Sequence, residues 1–265
     1  MNQFEEQAEI VRQEQLTAEI FRLTLKAPEI AANARPGQFV MVQTTPCRDP
    51  LLRRPLSIHQ TIGNAQVQLL YKVVGKGTRL LAAMTPGQKL NLTGPLGRGF
   101  DFAGKQAICL VGGGMGIAPL YFLAREIMRT GRRPPQCAVL LGARTAAEFG
   151  PLSQDFMEVG ATETHLATDD GSLGHHGFVA ELLPQHLDPG LPWTVCTCGP
   201  HPMMRAVVSQ CRKQGWECQV SLETMMACGI SACLGCAIPR ADLSGPYLHV
   251  CKDGPVFKAE EVAWL

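Results

Sequence analysis

The chain has 265 residues, of which 46% are hydrophobic and 18% are charged, and its formal net charge is +1. This length can hold two ordinary domains and a small addition, each with its own core. Near-neutral charge without a basic cluster argues against a nucleic-acid surface, and no apolar run has transmembrane length. Because the start is polar and acidic and the chain has eleven cysteines, we expect a protein of the reducing cytoplasm.

The first part of the chain consists of short alternating runs that are separated by turn signals. Apolar and polar residues alternate at 8–16, 20–26 and 38–43, with glycines at 37, 63 and 87 between or after the runs. Several short strands at close spacing with this punctuation are typical of a small antiparallel barrel or sandwich. We therefore predict a β-barrel domain over residues 1–103.

Residues 53–58 carry the first chemical feature, an arginine and a serine three positions apart beside a proline. The guanidinium of Arg54 can hold a pyrophosphate bidentately, and Ser57 can hydrogen-bond a phosphate or a flavin edge. Tyr71, on a predicted strand at 67–74, is placed to cover a ring. The simpler interpretation is that Arg54 forms a surface salt bridge and that Tyr71 packs in the core.

A glycine-rich stretch follows this strand and precedes a predicted helix at 79–84. Gly75, Gly77 and Thr78 would present backbone N–H groups at the helix N-terminus, which is a natural binding position for a phosphate. A second glycine-rich turn, at 94–100, is suited to lie against a cofactor.

The sequence Arg54-Pro-x-Ser57, followed by Tyr71-Lys72 and Gly75-x-Gly77-Thr78, resembles the flavin-binding barrel of the ferredoxin–NADP reductase superfamily. This resemblance implies that the barrel binds FAD. The residues implied to contact FAD are Arg54, Pro55, Leu56, Ser57, Leu70, Tyr71, Lys72, Gly77 and Thr78.

An apolar run at 105–112 is typical of a buried strand in a parallel sheet, and it leads into a glycine-rich loop and an amphipathic helix at 120–129. Strand, glycine loop and helix N-terminus form the arrangement that binds dinucleotide phosphates. Pro119 stands where the last glycine of the usual motif would be, and this variant resembles the same superfamily. The residues predicted to contact NAD(H) here are Gly113, Gly114, Gly116 and Pro119.

Alternation of strands and helices continues as in a doubly wound parallel sheet, with strands predicted at 137–142, 164–168 and 193–197. The last strand ends in Cys198-Gly-Pro200, which resembles the second nucleotide signature of the superfamily. The resemblance implies that Cys198, Gly199 and Pro200 contact the nucleotide, and that Cys198 is the candidate catalytic residue near the nicotinamide. The alternative is that Cys198 is a thiol buried at a strand end.

Four cysteines near the end of the chain are spaced C-x4-C-x2-C, with 14 residues before the fourth. This is the plant-type spacing of a [2Fe–2S] cluster. Structural zinc fits less well because its ligands usually come in C-x2-C pairs, and a disulfide framework fits poorly because the cysteine count is odd. The predicted metal ligands are Cys228, Cys233, Cys236 and Cys251.

The predicted fold is therefore of the β plus α/β class, with three domains in order. They are an antiparallel flavin-binding β-barrel (1–103), a doubly wound parallel-sheet nucleotide domain (104–222) and a small [2Fe–2S] cluster domain (223–265).

NAD(P)H gives up two electrons as a hydride, whereas the cluster takes one electron at a time. A flavin does both and must lie between them, and we expect the final electron donor or acceptor on another subunit.

Over nearly the whole chain, these motifs resemble the electron-transfer subunits of class 1B dihydroorotate dehydrogenases. The resemblance implies FAD, one [2Fe–2S] cluster and NAD(H). It also implies a catalytic partner subunit that carries FMN and the orotate site, in a heterotetramer with two of each subunit. Electrons from dihydroorotate would pass from FMN through the cluster and FAD to NAD+, as part of pyrimidine biosynthesis.

Several alternatives stay open. The electron-transfer subunit of another complex, such as a bifurcating transhydrogenase or a sulfhydrogenase, shares all three modules. A redox-sensing binding protein would not oxidise NAD(P)H, and a structural zinc protein would be colourless. The choice between NADH and NADPH is also open, because Arg144 suits a 2′-phosphate while Glu148 suits a ribose 2′-hydroxyl.

Overall fold

The computed structural model describes residues 2–129, 134–150, 152–159, 163–243 and 245–264. Its N-terminal part is a closed antiparallel barrel, in which the strands follow the order β1-β2-β5-β4-β3-β6. The barrel strands are β1 Phe4–Gln15, β2 Ile20–Lys26, β3 Phe39–Gln43, β4 Arg54–Ile62, β5 Gln66–Lys72 and β6 Lys89–Leu96. Two short helices connect them, α1 Pro28–Asn33 and α2 Lys76–Ala82. The predicted barrel is confirmed.

The distribution of buried and exposed residues along the barrel strands shows which face of each strand lies inside the barrel. On β1, Ala8 and Ile10 are fully buried while the residues between and beside them are exposed, so one face of the strand fills the barrel and the other meets solvent. On β2, Leu23 and Leu25 are fully buried as well, and Thr24 between them is 4% exposed. The barrel closes because β1 also pairs with β6, from Phe4 opposite Gly94 onward.

The second part of the chain is a sheet covered by helices. Its strands are β7 Ala107–Gly113, β8 Gln136–Ala143, β9 Glu163–Thr168, β10 His175–His176, β11 Trp193–Cys198 and β12 Glu217–Ser221. Its helices are α3 Ile117–Arg129, α4 Ala146–Phe149, α5 Leu152–Glu158, α6 Leu183–His186 and α7 His201–Gln214. Among the ranges given above, no helix has both the length and the apolar character that crossing a membrane requires.

The six strands β7 to β12 pair in parallel in the order β10-β9-β8-β7-β11-β12. The chain winds outward from β7 in one direction to β10 and then returns to β11 on the other side of β7. Ligands bind in such sheets where the winding direction reverses, at the carboxyl ends of the strands. In this sheet that point lies between β7 and β11, where Cys198 is opposite Gly112.

The C-terminal part adds three short strands, β13 Ala237–Ile238, β14 Leu248–His249 and β15 Val256–Lys258. Strands β13 and β14 pair with each other, and β14 ends two residues before Cys251. Strand β15 was not predicted, and it extends the large sheet by pairing antiparallel with β12. The C-terminal part is thus bound to the nucleotide sheet, while the domain limits at 103/104 and 222/223 stay predictions.

The barrel and the sheet domain pack through β4 and α3. His59 of β4 is buried, stacks on Tyr121 at a ring-centroid distance of 4.4 Å and donates from Nδ1 to the Ala118 carbonyl at 3.2 Å. An ion pair between Arg22 of β2 and Asp155 of α5 joins the same two domains. Burial, together with the positive charge of Arg22, lowers the pKa of His59 to about 3.

A histidine with this pKa makes the folded chain sensitive to acid. The imidazole is neutral in the folded protein but takes up a proton in the unfolded chain below its ordinary pKa of 6.5, so stability is lost as the pH falls from 6.5 towards 3. We expect His59 to account for a loss of about 2 kcal/mol in the free energy of unfolding at pH 5 relative to pH 7.5. Urea unfolding at the two pH values measures this difference.

His59→Gln should remove that part of the pH dependence, since glutamine does not titrate. The matched control is His176→Gln, which replaces an exposed histidine of the sheet domain and should keep the full loss. An identical change between the two pH values in wild type and His59→Gln would contradict this account of the interface.

Candidate functional site

A cleft of about 290 Å³ opens between the barrel, the start of α3 and the segment after β12. The structure brings eight residues predicted for the flavin together on its wall, namely Arg54, Pro55, Leu56, Ser57, Leu70, Tyr71, Lys72 and Thr78. The remaining wall residues, which were not predicted to contact the flavin, are Phe39, Val74, Met115, Ala118, Ser221, Leu222, Glu223, Thr224, Met226 and Pro255. We call this concavity the barrel cleft.

Arg54 lies over the turn that starts α2. A Cβ atom on Gly77 would come within 2.6 Å of the Arg54 Nε, so only glycine at this position lets the guanidinium lie against the backbone. Thr78 closes the same turn, because its hydroxyl accepts hydrogen bonds from the N–H groups of Val74 and Gly75 at 3.0 and 3.1 Å. Arg54 forms no ion pair with any carboxylate of the described residues, so its charge is available to an anionic group in the cleft.

Tyr71 gives the barrel cleft an unsatisfied hydroxyl. Only 2% of its surface is exposed, and its Oη is buried without a hydrogen-bond partner in the described part of the chain. Its ring stacks on Phe21 at 5.7 Å, and burial raises the pKa of its hydroxyl. Buried polar atoms nearly always have a hydrogen-bond partner, and a bound flavin would provide one for this hydroxyl. The chemistry of the wall therefore fits FAD.

A second cleft, of about 300 Å³, lies at the point where the sheet reverses its winding. We call it the loop cleft. Five of its wall residues were predicted for NAD(H), namely Gly113, Gly114, Gly116, Gly199 and Pro200. The others are Met115, His201, Met204, Leu222 and Glu223. Pro119 does not reach this wall and is a buried residue in the first turn of α3.

Close packing explains why this loop is made of glycines. A Cβ atom on Gly116 would lie 2.2 Å from the carbonyl oxygen of Cys198, so the loop after β7 touches the end of β11 backbone to backbone. A Cβ atom on Gly113 would lie 2.4 Å from the Met203 Sδ. The glycines thus hold the two predicted nucleotide signatures in direct contact, next to the start of α3, where a pyrophosphate binds in such folds.

Cys198 lies beneath the loop cleft and does not form part of its wall. The residue is 1% exposed, and its thiol is hydrogen-bonded to Ser221 and close to Glu223. Burial raises the pKa of the thiol, and the negative charge of Glu223 raises it further. Cys198 is therefore a protonated thiol that is hydrogen-bonded to Ser221, a wall residue of the barrel cleft, and contact with a nicotinamide stays a prediction.

The two clefts adjoin each other, since Met115, Leu222 and Glu223 line both. Leu222 and Glu223 directly follow β12, so the end of this strand separates the two concavities. Burial raises the pKa of the Glu223 carboxyl. Two ring systems, one bound in each cleft, would come together at these three residues. Hydride transfer between two cofactors requires such close approach.

The four cysteines predicted as metal ligands form two pairs. Cys236 and Cys251 lie with their Sγ atoms 3.2 Å apart, and the N–H of Cys233 donates to the Cys228 Sγ at 3.4 Å. All eleven cysteines of the chain are free thiols. A [2Fe–2S] cluster takes four thiolates, two on each iron, so two pairs fit it well. Within the described ranges, no three His, Cys, Asp or Glu side chains surround a single metal-ion position.

Backbone N–H groups around the loop point at the sulfurs. Burial alone would raise the pKa of Cys228, but the N–H groups of Cys233 and Ile230 outweigh it and lower that pKa to about 7. Ser231 donates to the Cys251 Sγ at 3.2 Å, although burial and the neighbouring Cys236 raise the pKa of Cys251 to about 12. Such N–H groups stabilise thiolates, the form that binds iron.

The cysteine loop lies against the barrel. Gly229 has a φ of +73°, and a Cβ atom on it would be 2.4 Å from the Met41 Cγ of β3. Met226, two residues before the first cysteine, forms part of the barrel-cleft wall. The cysteine loop therefore begins at the wall of the barrel cleft.

Arg144 and Glu148, the two candidates for nucleotide discrimination, bind each other. The Arg144 Nε donates to a Glu148 carboxylate oxygen at 2.7 Å, and the Arg144 backbone N–H donates to the other at 3.1 Å. This pairing lowers the pKa of Glu148, chiefly through the side-chain hydrogen bond. A 2′-phosphate would have to compete with this carboxylate for the guanidinium.

The contact between the two nucleotide signatures yields a prediction. Gly116→Ala should push the loop away from β11, because the new Cβ would meet a backbone carbonyl, and we expect a loss of about 2–3 kcal/mol in unfolding free energy. The KM for NADH should rise by about tenfold, since the phosphate-binding N–H groups move. Urea unfolding and NADH-dependent dye reduction measure the two effects.

Gly114→Ala is the matched control in the same loop. Gly114 has a φ of +54° but no atom within 4 Å of the position of a Cβ, so only backbone strain of about 1 kcal/mol is expected. Equal losses in the two variants would show that close packing against Cys198 is unimportant.

Comparison with known proteins shows three matching domain families along the chain. An oxidoreductase FAD-binding domain matches residues 7–100, an oxidoreductase NAD-binding domain matches residues 110–209, and the iron-sulfur cluster binding domain of dihydroorotate dehydrogenase B matches residues 223–263. A solved structure described as an NADH-dependent reduced ferredoxin-NADP oxidoreductase is similar with a TM-score of 0.84 and 29% identity. The match covers 98% of this chain and 90% of the solved chain.

Curated relatives match over almost their full length. The dihydroorotate dehydrogenase B (NAD(+)) electron transfer subunit of Enterococcus faecalis is 40% identical over 99% of both chains. The subunit of the same name from Geobacillus thermodenitrificans is 40% identical over 97% of this chain and 98% of its own. The chain has the FAD-binding, NAD-binding and iron–sulfur domains of these proteins, and it belongs to the family of dihydroorotate dehydrogenase B electron transfer subunits.

Proposed function

We propose that this chain transfers electrons between NAD(H) and the FMN of a catalytic partner subunit that oxidises dihydroorotate to orotate in pyrimidine biosynthesis. The observation that carries the proposal is the position of the barrel cleft. It shares Met115, Leu222 and Glu223 with the loop cleft, and its wall also includes Met226, which lies two residues before the first cysteine of the cysteine loop. A flavin in this cleft adjoins both a nicotinamide site and a one-electron carrier.

In this proposal the barrel cleft holds FAD. Arg54 and the turn at Gly77 and Thr78 bind the pyrophosphate, since a guanidinium and backbone N–H groups are the groups that phosphates prefer. Tyr71 covers the ring and satisfies its own buried hydroxyl there. The other contacts come from Pro55, Leu56, Ser57, Leu70 and Lys72. When bound, FAD supplies the conversion between two-electron hydride chemistry and single-electron transfer.

The loop cleft holds NAD(H) in the same proposal. The glycines of the loop after β7 and the turn at Gly199 and Pro200 bind the phosphates and orient the nicotinamide towards the shared wall. Pro119 starts α3 without needing a backbone N–H, as proline does in a first helical turn. Cys198 positions Ser221 and Glu223 from below. The cysteine pairs Cys228/Cys233 and Cys236/Cys251 each bind one iron of a [2Fe–2S] cluster.

The domain limits proposed for these functions are 1–103, 104–222 and 223–265. The three matching families, at 7–100, 110–209 and 223–263, support them. We also infer a reducing compartment, the cytoplasm, because all eleven cysteines are free thiols.

The partner subunit docks, in our proposal, on the apolar surface around the cysteine loop. Met225 is 89% exposed and Leu234 is 55% exposed, and Ile230 lies between them in sequence with half its surface open. Exposed apolar side chains grouped on one loop mark interaction sites in soluble proteins. Docking here places the cluster next to the partner's FMN, and two copies of each subunit then form a heterotetramer.

The direct test is to isolate the chain with its partner from the native cell and to assay orotate-dependent NADH oxidation. A co-purifying FMN subunit and NADH–orotate activity are the expected result. Co-purification with a different partner, together with no orotate turnover, would assign the chain to another reductase complex, such as the ferredoxin-linked type suggested by the similar solved structure.

The pairing of Arg144 with Glu148 predicts a preference for NADH. Glu148→Gln removes the carboxylate that occupies the guanidinium, so we expect kcat/KM with NADPH to rise by about tenfold while the value with NADH changes little. Steady-state dye reduction with both nucleotides measures the change. In the double variant Arg144→Ala/Glu148→Gln the gain should disappear, and a gain that persists without the arginine would contradict this role.

The docking surface predicts a second effect. Leu234→Glu puts a charge on the proposed interface, and we expect it to weaken the affinity for the partner subunit by about tenfold or more. NADH-dependent dye reduction by the isolated chain should be unchanged. Phe178→Glu is the control, because Phe178 is 65% exposed beside β10, at the opposite edge of the sheet from β15. Equal effects of both substitutions on complex formation would contradict the proposed surface.

A further inference from the structure

A third concavity, of about 490 Å³, lies on the outer face of α7 and shares no residue with the two clefts. We call it the α7 groove. Its wall consists of Arg205, Val208, Ser209, Arg212, Lys213 and Trp264. Neither the sequence motifs nor the matching families assign this groove a role.

The groove is strongly basic for a chain with a net charge of +1. Arg205, Ser209 and Arg212 follow each other at helical spacing on one exposed face, and Lys213 adds a third cation. None of the three cations forms an ion pair with a described carboxylate, and no carboxylate is part of the groove wall. Three unpaired cations beside one concavity attract a polyanion.

Trp264 provides a fixed aromatic side to this basic surface. Its Nε1 donates to the Ala259 carbonyl at 2.8 Å, and its ring lies 5.3 Å from that of His201 at a tilt of 39°. The indole is only partly buried, while Val208 closes the floor of the groove with 2% exposure. An oriented indole next to cations suits a ligand that combines a flat ring with phosphates.

We propose that the α7 groove binds a nucleoside di- or triphosphate. The phosphates contact Arg205, Arg212 and Lys213, and the base lies against Trp264. The two arginines are seven positions apart on the helix, a rise of about 10 Å along α7, which a polyphosphate chain can bridge. Guanidinium groups match phosphate oxygens in geometry as well as charge, and this favours phosphates over simple carboxylates.

The groove is a near neighbour of the loop cleft, because His201 lines that cleft and contacts Trp264. A binding test must therefore separate the two positions. UTP is a suitable probe, since adenine nucleotides share half of their structure with NAD and FAD and would enter the cofactor clefts as well.

The experiment is isothermal titration calorimetry of UTP into the full chain loaded with its cofactors. Wild type should bind one UTP with a micromolar dissociation constant, and Arg205→Ser/Arg212→Ser should bind it at least about 100-fold more weakly. The charge-matched control is Lys26→Ser/Lys89→Ser, which removes two exposed barrel cations and should leave the affinity unchanged. Flavin absorbance verifies that each variant is folded.

A second comparison tests the aromatic contact. Trp264→Leu should weaken UTP binding about tenfold and leave the affinity for inorganic tripolyphosphate unchanged, because only the base stacks on the ring. The proposal is overturned if wild type shows no binding up to about 1 mM UTP. It is equally overturned if the double arginine variant binds UTP as wild type does, or if Trp264→Leu has no effect on UTP.

Discussion

A single run of backbone pairing keeps the parts of the site together. The antiparallel ladder between β12 and β15 is continued by a hydrogen bond from the Leu222 N–H to the Pro255 carbonyl at 2.9 Å. Between these paired ends the chain leaves the sheet, forms the shared wall of the two clefts, carries the four cysteines and returns. Both ends of the excursion are therefore tied to the nucleotide sheet beside the clefts, and the packing of Gly229 on Met41 holds the cysteine loop against the barrel.

A second set of contacts fixes the barrel relative to that sheet. The glycine loop after β7 continues into α3, and α3 packs on β4 through Tyr121 and His59. Phe122 of the same helix is buried in the barrel core. The strand that carries Arg54 and Ser57 is thus attached to the helix that starts at the nucleotide loop. This connection fixes the position of the barrel cleft relative to the loop cleft. It also buries the His59 imidazole, which destabilises the folded chain in acid.

Much of the fold follows from short-range patterns in the sequence. Alternation predicts the barrel strands, the apolar run before Gly113 predicts β7, and glycines mark the phosphate-binding turns. These predictions succeed because each one depends only on residues within a single element or turn. The family resemblance added FAD in the barrel and the catalytic partner subunit.

Other features depend on contacts between distant residues and could not be predicted. Strand β15 is three residues long and forms only because β12 offers an open edge. The wall shared by the clefts at Leu222 and Glu223 has no motif of its own, and the mutual pairing of Arg144 and Glu148 was seen only as two separate candidates. The α7 groove needs Trp264, about fifty residues beyond the helix, and therefore has no local signature.

The central claim is that a flavin in the barrel cleft connects the nicotinamide site to the cysteine loop. Anaerobic rapid mixing of NADH with the chain tests it most directly, with visible absorbance and electron paramagnetic resonance following the cluster. The account predicts that NADH reduces the cluster in the FAD-loaded chain and fails to do so after FAD is removed, while dithionite reduces the cluster in both. Cluster reduction by NADH at the same rate with and without FAD would contradict it.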